Sequence, residues 1–341
     1  MSRVTESDAL ISEETAAPTR HMDPVIAGTC LGIVSALSYT GANTALRSLA
    51  EPGGLGWAFW VACVKAVPAS IVAWGLVARH RSRGRPVLPP WRTLGGLVAM
   101  GLFMQFGGNG MFQWALGHVG LAVTVPLTFA TLISSGAFFG RVSLGEPIHP
   151  RTAVSMLVLL VAIVFLSAGA ENAMSSLSGT SRGIVAAAIA AACVAGIGFG
   201  TSGVLIRHCV TGNVSLAMTI AVLCTSGVVG LGLASFVLMS PAEIATRTAA
   251  DFPELLAAGC LNALAFFAVS EALRRIPVTR VNLLNASQTA MCAIVGIVWF
   301  DERLTPGIAA GIVLTIVGLL SLGNGRAGNP DRRRATAGDK E

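Results

Sequence analysis

The stretches SLGEPIHPRT at 143–152 and WFDERLTPGI at 299–308 share one pattern, in which a proline follows four residues after a glutamate. A long apolar run precedes each stretch, and a second apolar run that ends in glycine follows it. The four residues that define the pattern are Glu146 and Pro150 in the first stretch and Glu302 and Pro306 in the second. The repetition predicts that the chain consists of two related halves.

The composition predicts the class of protein. The 341 residues are 53% hydrophobic and only 12% charged, and the mean hydropathy is +0.71. An ordinary soluble domain is about 25% charged. The composition therefore excludes a soluble globular protein and predicts an integral membrane protein.

Uncharged runs of the chain are long enough to cross a membrane as helices. A helix rises 1.5 Å per residue, so about 20 apolar residues span a hydrocarbon core of roughly 30 Å. The runs are continuous rather than alternating, which favours helices over barrel strands. The sequence predicts an all-α polytopic membrane protein with ten transmembrane helices, at approximately 25–46, 56–78, 93–116, 121–142, 152–169, 183–206, 214–239, 253–273, 278–300 and 306–323.

The distribution of arginine and lysine predicts the orientation. These residues concentrate in loops on the cytoplasmic side of membrane proteins. If the N-terminus is cytoplasmic, most of the 23 Lys and Arg residues fall on that side. Both termini then lie inside, which requires an even number of spans. We expect a protein of the inner (plasma) membrane, with residues 1–24 as a disordered cytoplasmic N-terminal tail and 324–341 as a cytoplasmic C-terminal tail.

The predicted spans divide into two sets of five, at 25–169 and 183–323, and the acid–proline stretch lies between the fourth and fifth span of each set. The first span of each set also ends alike, in NTALR at 43–47 and GVLIR at 203–207. Because five is odd, the second half enters the membrane inverted relative to the first. Inverted halves around a shared central site are an architecture of secondary transporters, in which access alternates between the two sides.

The duplicated acid–proline pattern, with the run GIVLTIVGLLSLG at 311–323, resembles the EamA-type families of the drug/metabolite transporter (DMT) superfamily. The resemblance covers roughly residues 25–323. It implies a ten-helix carrier with inverted repeats that handles small metabolites, often as an exporter of amino acids or related compounds.

Lys65 and Glu271 are the candidates for function among the ionisable residues within predicted spans. Lys65 lies inside the second span, where a charge is costly and usually faces a cavity or a partner; in a cavity it would attract a carboxylate or phosphate. The alternative is that its long side chain reaches the membrane interface. Glu271 is the candidate for proton coupling. Its alternative role is an ion pair within one helix, with Arg274 and Arg275 at i+3 and i+4.

Amide side chains concentrate in the third, eighth and ninth predicted spans. A spacing of four places Gln105, Asn109 and Gln113 on one helical face. Such amides either join helices by hydrogen bonds or line a wet cavity. Tyr39 and Phe199 occupy matching positions in the two halves and serve either as aromatic walls or in packing. The substrate-cavity candidates are therefore Lys65, Gln105, Asn109, Gln113, Asn262, Asn285, Gln288, Tyr39 and Phe199.

The acid–proline residues allow two interpretations. Pro150 and Pro306 suit the first turn of a helix, where the missing N–H is harmless, and a preceding carboxylate favours the positive end of the helix dipole. The pattern then marks the start of a helix. Alternatively, Glu146 and Glu302 act as gates that pair with loop arginines when one side closes.

The sequence predicts a secondary active transporter and not an enzyme. The five histidines are scattered, and we find neither a nucleotide-binding motif nor a metal-binding spacing. We therefore expect no metal, no cofactor and no nucleic-acid partner. The expected partners are a small-molecule substrate, the lipid bilayer and a coupling proton, with the protein as a monomer or homodimer. The alternative function is a channel-like or sensor membrane protein.

Overall fold

The structure, a computed structural model, describes residues 23–84, 89–145, 150–175, 181–211, 214–276 and 278–323. Within these ranges all regular structure is helical, and no strand is present. Glu146 and nearly all of the two predicted tails lie outside the described residues.

The helices follow one another with short connections. Their bounds are α1 Pro24–Ser48, α2 Leu55–Ser82, α3 Trp91–Phe103, α4 Met111–Val119, α5 Leu121–Leu144, α6 Pro150–Ser175, α7 Arg182–Thr211, α8 Leu216–Leu238, α9 Pro241–Ala250, α10 Phe252–Arg275, α11 Val278–Trp299 and α12 Pro306–Gly323. A π-helical segment, Met104–Gly110, joins α3 to α4 without a break. The short helix α9 was not predicted from the sequence.

Several helix starts follow from their capping residues. The Asp23 carboxylate accepts a hydrogen bond of 2.8 Å from the backbone N–H of Val25, and Pro24 opens α1. The Ser215 and Ser240 hydroxyls cap α8 and α9 in the same way. Such side chains satisfy N–H groups that have no partner inside the helix.

The prediction of an all-helical membrane protein is confirmed. Among the described residues, six helices are long and apolar enough to cross a membrane: α1, α2, α5, α7, α8 and α10. Shorter apolar stretches occur in α6, α11 and α12. Large apolar side chains point outward from the bundle, as with Ile71 at 67% and Val237 at 84% exposure. Lipid is the environment in which such a surface is stable.

The closest helix pairs are α1 with α10, α2 with α8, α5 with α7, and α6 with α12. Each pair joins a helix from before residue 176 to one from after residue 181. Glycines allow the close approach. A Cβ on Gly196 or Gly200 of α7 would overlap backbone carbonyl oxygens of Thr128 or Leu132 in α5. Small residues at helix contacts are typical of membrane bundles, where packing rather than hydrophobic burial drives association.

Contacts between helix termini define two ends of the bundle. At one end, which we call the Glu302 end, the α11–α12 connection meets the C-terminus of α1 and the N-terminus of α5. At the other, the Arg275 end, Gly28 of α1 packs against the C-terminus of α10. The hydroxyls of Ser155 and Ser321 are also hydrogen-bonded there, at 2.6 Å. Neighbouring helices therefore alternate in direction.

Candidate functional site

A cavity of about 180 Å³ lies in the middle of the bundle. Its walls come from α1, α2, the π-helical segment, α4, α5, α7, α8, α10 and α11. The predicted cavity residues that line it are Tyr39, Lys65, Gln105, Asn109, Phe199, Asn262, Asn285 and Gln288. The tertiary structure thus brings together residues from distant parts of the chain, from Tyr39 in α1 to Gln288 in α11. Their part in substrate binding stays a prediction.

Lys65 is held in the wall of this cavity by a chain of amides. Its side chain is 4% exposed, and Nζ donates a hydrogen bond of 2.7 Å to Oδ1 of Asn109. Asn109 Nδ2 donates to Oε1 of Gln105 at 2.8 Å, and Gln105 Nε2 donates to the carbonyl of Leu223 at 3.0 Å. Lys65 lies ten residues beyond Leu55, ~15 Å along α2. This geometry favours the cavity interpretation over a side chain that reaches the membrane interface.

The π-helical segment positions two of these amides. It consists of the residues MQFGGNG, and both Gln105 and Asn109 belong to it. A π-turn widens the helix and often occurs at functional sites. Its glycines let aromatic rings approach the backbone: a Cβ on Gly108 would lie 2.8 Å from Cε1 of Phe199. The sequence shows the glycines but does not show the π-helical geometry.

A second polar group lies between α1 and α11. The Oδ1 atom of Asn285 accepts hydrogen bonds from Ser35 Oγ at 3.0 Å and from Gln288 Nε2 at 2.9 Å. Asn285 Nδ2 donates to the carbonyl of Val281 at 3.1 Å. Asn285 and Gln288 line the cavity while this network joins two helices. The two roles proposed from sequence therefore coexist in the same side chains.

Aromatic side chains form much of the apolar wall. Phe199 packs edge-on against Phe112, with ring centroids 6.2 Å apart. Tyr39 and Asn262 also line the cavity, and within the described part of the chain no hydrogen bond is found for the Tyr39 hydroxyl or the Asn262 amide. The lining residues that sequence analysis missed include Asn43, Phe112, Thr128, Phe129 and Phe266. Asn43 and Phe266 lie four residues after Tyr39 and Asn262, so the helical period could have found them.

Gln113 does not line this cavity, contrary to the prediction from its spacing. It is buried near the Glu302 end, where Nε2 donates to the carbonyl of Leu46 at 3.0 Å and Oε1 has no partner among the described residues. The prediction assumed α-helical geometry from Gln105 onward. The π-helical segment winds less per residue than an α-helix, so a spacing of four does not keep Gln113 on the same face.

Glu302 joins three parts of the structure at the Glu302 end. Its Oε1 accepts hydrogen bonds of 2.7 Å from Arg47 Nε and from the backbone N–H of Leu121. Its Oε2 accepts one of 2.7 Å from the N–H of Ala122. The carboxylate therefore caps α5 rather than its own helix, α12, which begins at Pro306. The Arg47 guanidinium also lies 5.4 Å from the ring centre of Phe300, a cation–π distance.

The backbone around Glu302 is shaped for this contact. Gly120 has φ of +76°, and a Cβ there would lie 2.6 Å from Glu302 Oε1. A Cβ on Gly296 would lie 2.6 Å from Oε2. Asp301, with φ of 51°, occupies the left-handed region, and the N–H of Glu302 donates to the carbonyl of Gly296. These features turn the carboxylate toward the N-terminus of α5, where the helix dipole favours a negative charge.

Different residues lie at the two ends of the cavity. A buried apolar cluster that includes Leu46, Trp57 and Leu121 lies between the cavity and Glu302. In the other direction, the lining reaches Leu273 and Asn282, close to the ends of α10 and α11.

Glu271 lies outside the cavity at the Arg275 end. Its carboxylate forms ion pairs with Arg274 at 3.1 Å and with Arg275 at 2.7 Å, and its side chain is 28% exposed. The geometry matches the alternative of an ion pair within one helix. The proton-coupling role stays a prediction.

Comparison with known proteins identifies the second half of the chain. The model of the EamA-like transporter family matches residues 186–323. This part of the chain is therefore similar to the EamA-like transporter family, and we call it the EamA region. EamA transporters are part of the DMT superfamily and are not an enzyme family. The apolar helices and this similarity together indicate a multi-pass membrane protein.

The comparison with solved structures covers more of the chain than the family model does. No curated protein matches the chain. Among the solved structures, 21 chains match. One of them, titled "Crystal structure of protein", is 16% identical, superposes with a TM-score of 0.56, and covers 87% of this chain and 98% of that chain. At this identity the similarity concerns the fold alone.

The EamA region supplies only part of the cavity. It contains Phe199, Asn262, Asn285 and Gln288, and it also contains Glu302. The predicted cavity residues that precede the EamA region are Tyr39, Lys65, Gln105 and Asn109. A complete cavity therefore needs both parts of the chain.

Proposed function

We propose that the protein is a secondary active transporter that moves a small metabolite, such as an amino acid or related compound, by alternating access. The observation that carries the proposal is the central cavity, with Lys65 buried in its wall, in a chain with an EamA region. Pockets for drug-sized ligands measure roughly 300–1,000 Å³. A cavity of about 180 Å³ suits a smaller molecule.

The proposed architecture is ten membrane helices in two inverted halves, 25–169 and 183–323. The helix contacts support it. The second helices of the halves, α2 and α8, pack together, as do the fifth helices, α6 and α12. The first helix of each half packs against the third of the other: α1 against α10, and α7 against the π-helical segment and α4. Exchange of the halves thus preserves the contact pattern, as an inverted repeat requires.

The proposed orientation places both termini in the cytoplasm of a cell whose inner membrane holds the protein. The Glu302 end then faces outward, and the cavity extends toward the cytoplasm. In this state an exporter would load its substrate. Export rests on the family resemblance, and a coupling proton is an expectation from the sequence alone.

The proposed outer gate consists of Glu302, Arg47 and the N-terminus of α5. It joins the second half to the first at the Glu302 end of the bundle, beyond the apolar cluster next to the cavity. Alternating access requires that contacts between halves at the closed side break when that side opens. The gate is therefore expected to open in the outward-facing state.

Transport by purified protein in sealed vesicles tests the proposal. We expect saturable uptake of labelled amino acids or related metabolites, and counterflow when the vesicles hold unlabelled substrate. Vesicles without protein provide the control. Flux that does not saturate and shows no counterflow would favour the channel alternative and contradict a carrier.

A further inference from the structure

We infer that the transported molecule carries a carboxylate, which binds at Lys65, and that the cavity rejects cations. The inference rests on the proposed transport function and adds the chemical class of the substrate. It follows from the charges, the unfilled hydrogen-bond donors and the neutral surroundings in the cavity.

The charge in the cavity is unbalanced. Among the described residues that line it, Lys65 is the one with a charged side chain, and no Asp or Glu is present. Lys65 also forms no ion pair within the described part of the chain. A buried charge without a partner is costly, and an anionic ligand would supply the missing partner.

The donors of Lys65 match a carboxylate. An ammonium group has three N–H donors. One of them is filled by Asn109 Oδ1, and no other described residue accepts a hydrogen bond from Nζ. A carboxylate presents two oxygens and makes strong hydrogen bonds to a cationic donor. Asn109 acts as a positioning residue because its amide nitrogen is held by Gln105, which turns its oxygen toward Lys65.

The other described residues that line the cavity are neutral. Its polar groups are amides, hydroxyls and a thiol, and its apolar wall includes Phe112, Phe129, Phe199 and Phe266. A cationic ligand would meet the repulsion of Lys65 without a carboxylate to compensate it. An aromatic or aliphatic body would pack against the phenylalanine rings. We therefore expect the cavity to bind a carboxylate most tightly, the corresponding amide less tightly, and the corresponding amine least tightly.

Size-matched probes test this order on purified full-length protein. Calorimetric titration with benzoate, benzamide and benzylammonium at millimolar concentrations should show tightest binding of benzoate. Lys65→Met should weaken benzoate binding at least about tenfold, because it removes a charge-assisted hydrogen bond. The matched control is Arg92→Met, which removes an exposed positive charge at the start of α3. It should leave benzoate binding unchanged.

A second variant provides an independent test if Lys65→Met does not fold. Asn109→Asp places a carboxylate beside Nζ and should also weaken benzoate binding at least about tenfold, since Lys65 gains an internal partner. Unchanged benzoate affinity in both variants would overturn the inference. So would a wild-type protein that binds benzylammonium as tightly as benzoate, or that binds no benzoate.

Counterflow of benzoate in vesicles separates this inference from the transport proposal. Benzoate binding without counterflow would keep the carboxylate site and reject the carrier. Saturable counterflow of a cationic or neutral metabolite, with no carboxylate binding, would keep the carrier and reject the carboxylate site.

Discussion

Lys65 and Glu302 are charged residues that are both largely buried, but they differ in their hydrogen-bond partners. Glu302 accepts hydrogen bonds from Arg47 and from two backbone N–H groups of α5. Among the described residues, Lys65 donates to a single neutral oxygen, that of Asn109. A charge with several partners holds the structure together, whereas a charge with unfilled donors is available to a ligand. At the scale of residues, this difference separates the proposed gate from the proposed binding site.

Glu271→Gln tests the proton-coupling role. We expect the variant to keep both its transport rate and its dependence on a proton gradient, because Glu271 lies outside the cavity in an exposed ion pair. Loss of such pairs within one helix costs only about 0.3–0.5 kcal/mol. Uptake into vesicles with and without an imposed pH gradient measures the effect. Loss of the proton dependence would show that Glu271 takes part in coupling.

At the scale of elements, the connection between α11 and α12 is more than a link between helices. It carries the acid–proline pattern, yet its carboxylate caps α5, from the other half of the chain. From the sequence, Glu302 could either mark the start of a helix or act as a gate. In the structure, the same carboxylate caps a helix and also interacts with Arg47.

Glu302→Gln should open the Glu302 end more often. The amide keeps the shape of the side chain but loses the charge that Arg47 and the α5 dipole favour, a loss of about 2 kcal/mol, or roughly thirtyfold in the opening equilibrium. The measurement is the rate at which a water-soluble maleimide labels Cys292, with the other cysteines replaced by alanine. Cys292 is buried in the apolar cluster that separates the cavity from Glu302.

The matched control for this gate is Glu271→Gln, which removes a glutamate charge at the Arg275 end. It should leave the labelling rate of Cys292 unchanged. Equal labelling rates in wild type and Glu302→Gln would contradict the gate. Faster labelling in both variants would indicate general loosening of the bundle instead.

At the scale of the whole molecule, helices from the two parts of the chain are interleaved. The closest pairs all join an early helix to a late one, so neither part buries its faces alone. The cavity lies between these pairs and draws its walls from both parts. A rearrangement of one half against the other would therefore change access to the cavity at both ends of the bundle.

Single cysteines in a cysteine-free protein test the proposed topology. Gly53 and Leu304 lie in connections at the Glu302 end, and Gly84 and Gly145 lie in connections at the opposite end. In intact cells, a membrane-impermeant maleimide should label cysteines at 53 and 304, and should label those at 84 and 145 only after the membrane is permeabilised. Labelling of 53 and 145 from the same side would contradict the alternating arrangement and the inverted repeat with it.

The sequence predicted the positions of the long helices better than their internal geometry. The apolar runs located every long helix within several residues, because lipid solvation depends on the composition of a continuous segment. The short helix α9 was missed, since its ten residues include both Glu243 and Arg247 and it is too short to span a membrane. Gln113 was predicted to line the cavity on the assumption of an α-helical period. The π-helical segment shifts that period, and no single residue type in the sequence indicates a π-helix.

The sequence by itself determined that this chain is a helical membrane protein, and its duplicated acid–proline pattern indicated two related halves. Both are properties of continuous segments and can be seen without knowledge of their neighbours. Only the tertiary structure decided that Asn109 faces Lys65, that Glu302 caps α5 beside Arg47, and that Gln113 lies outside the cavity. These contacts depend on how distant helices pack and rotate against one another, because the partners of a buried polar group are set by that packing rather than by its neighbours in the chain.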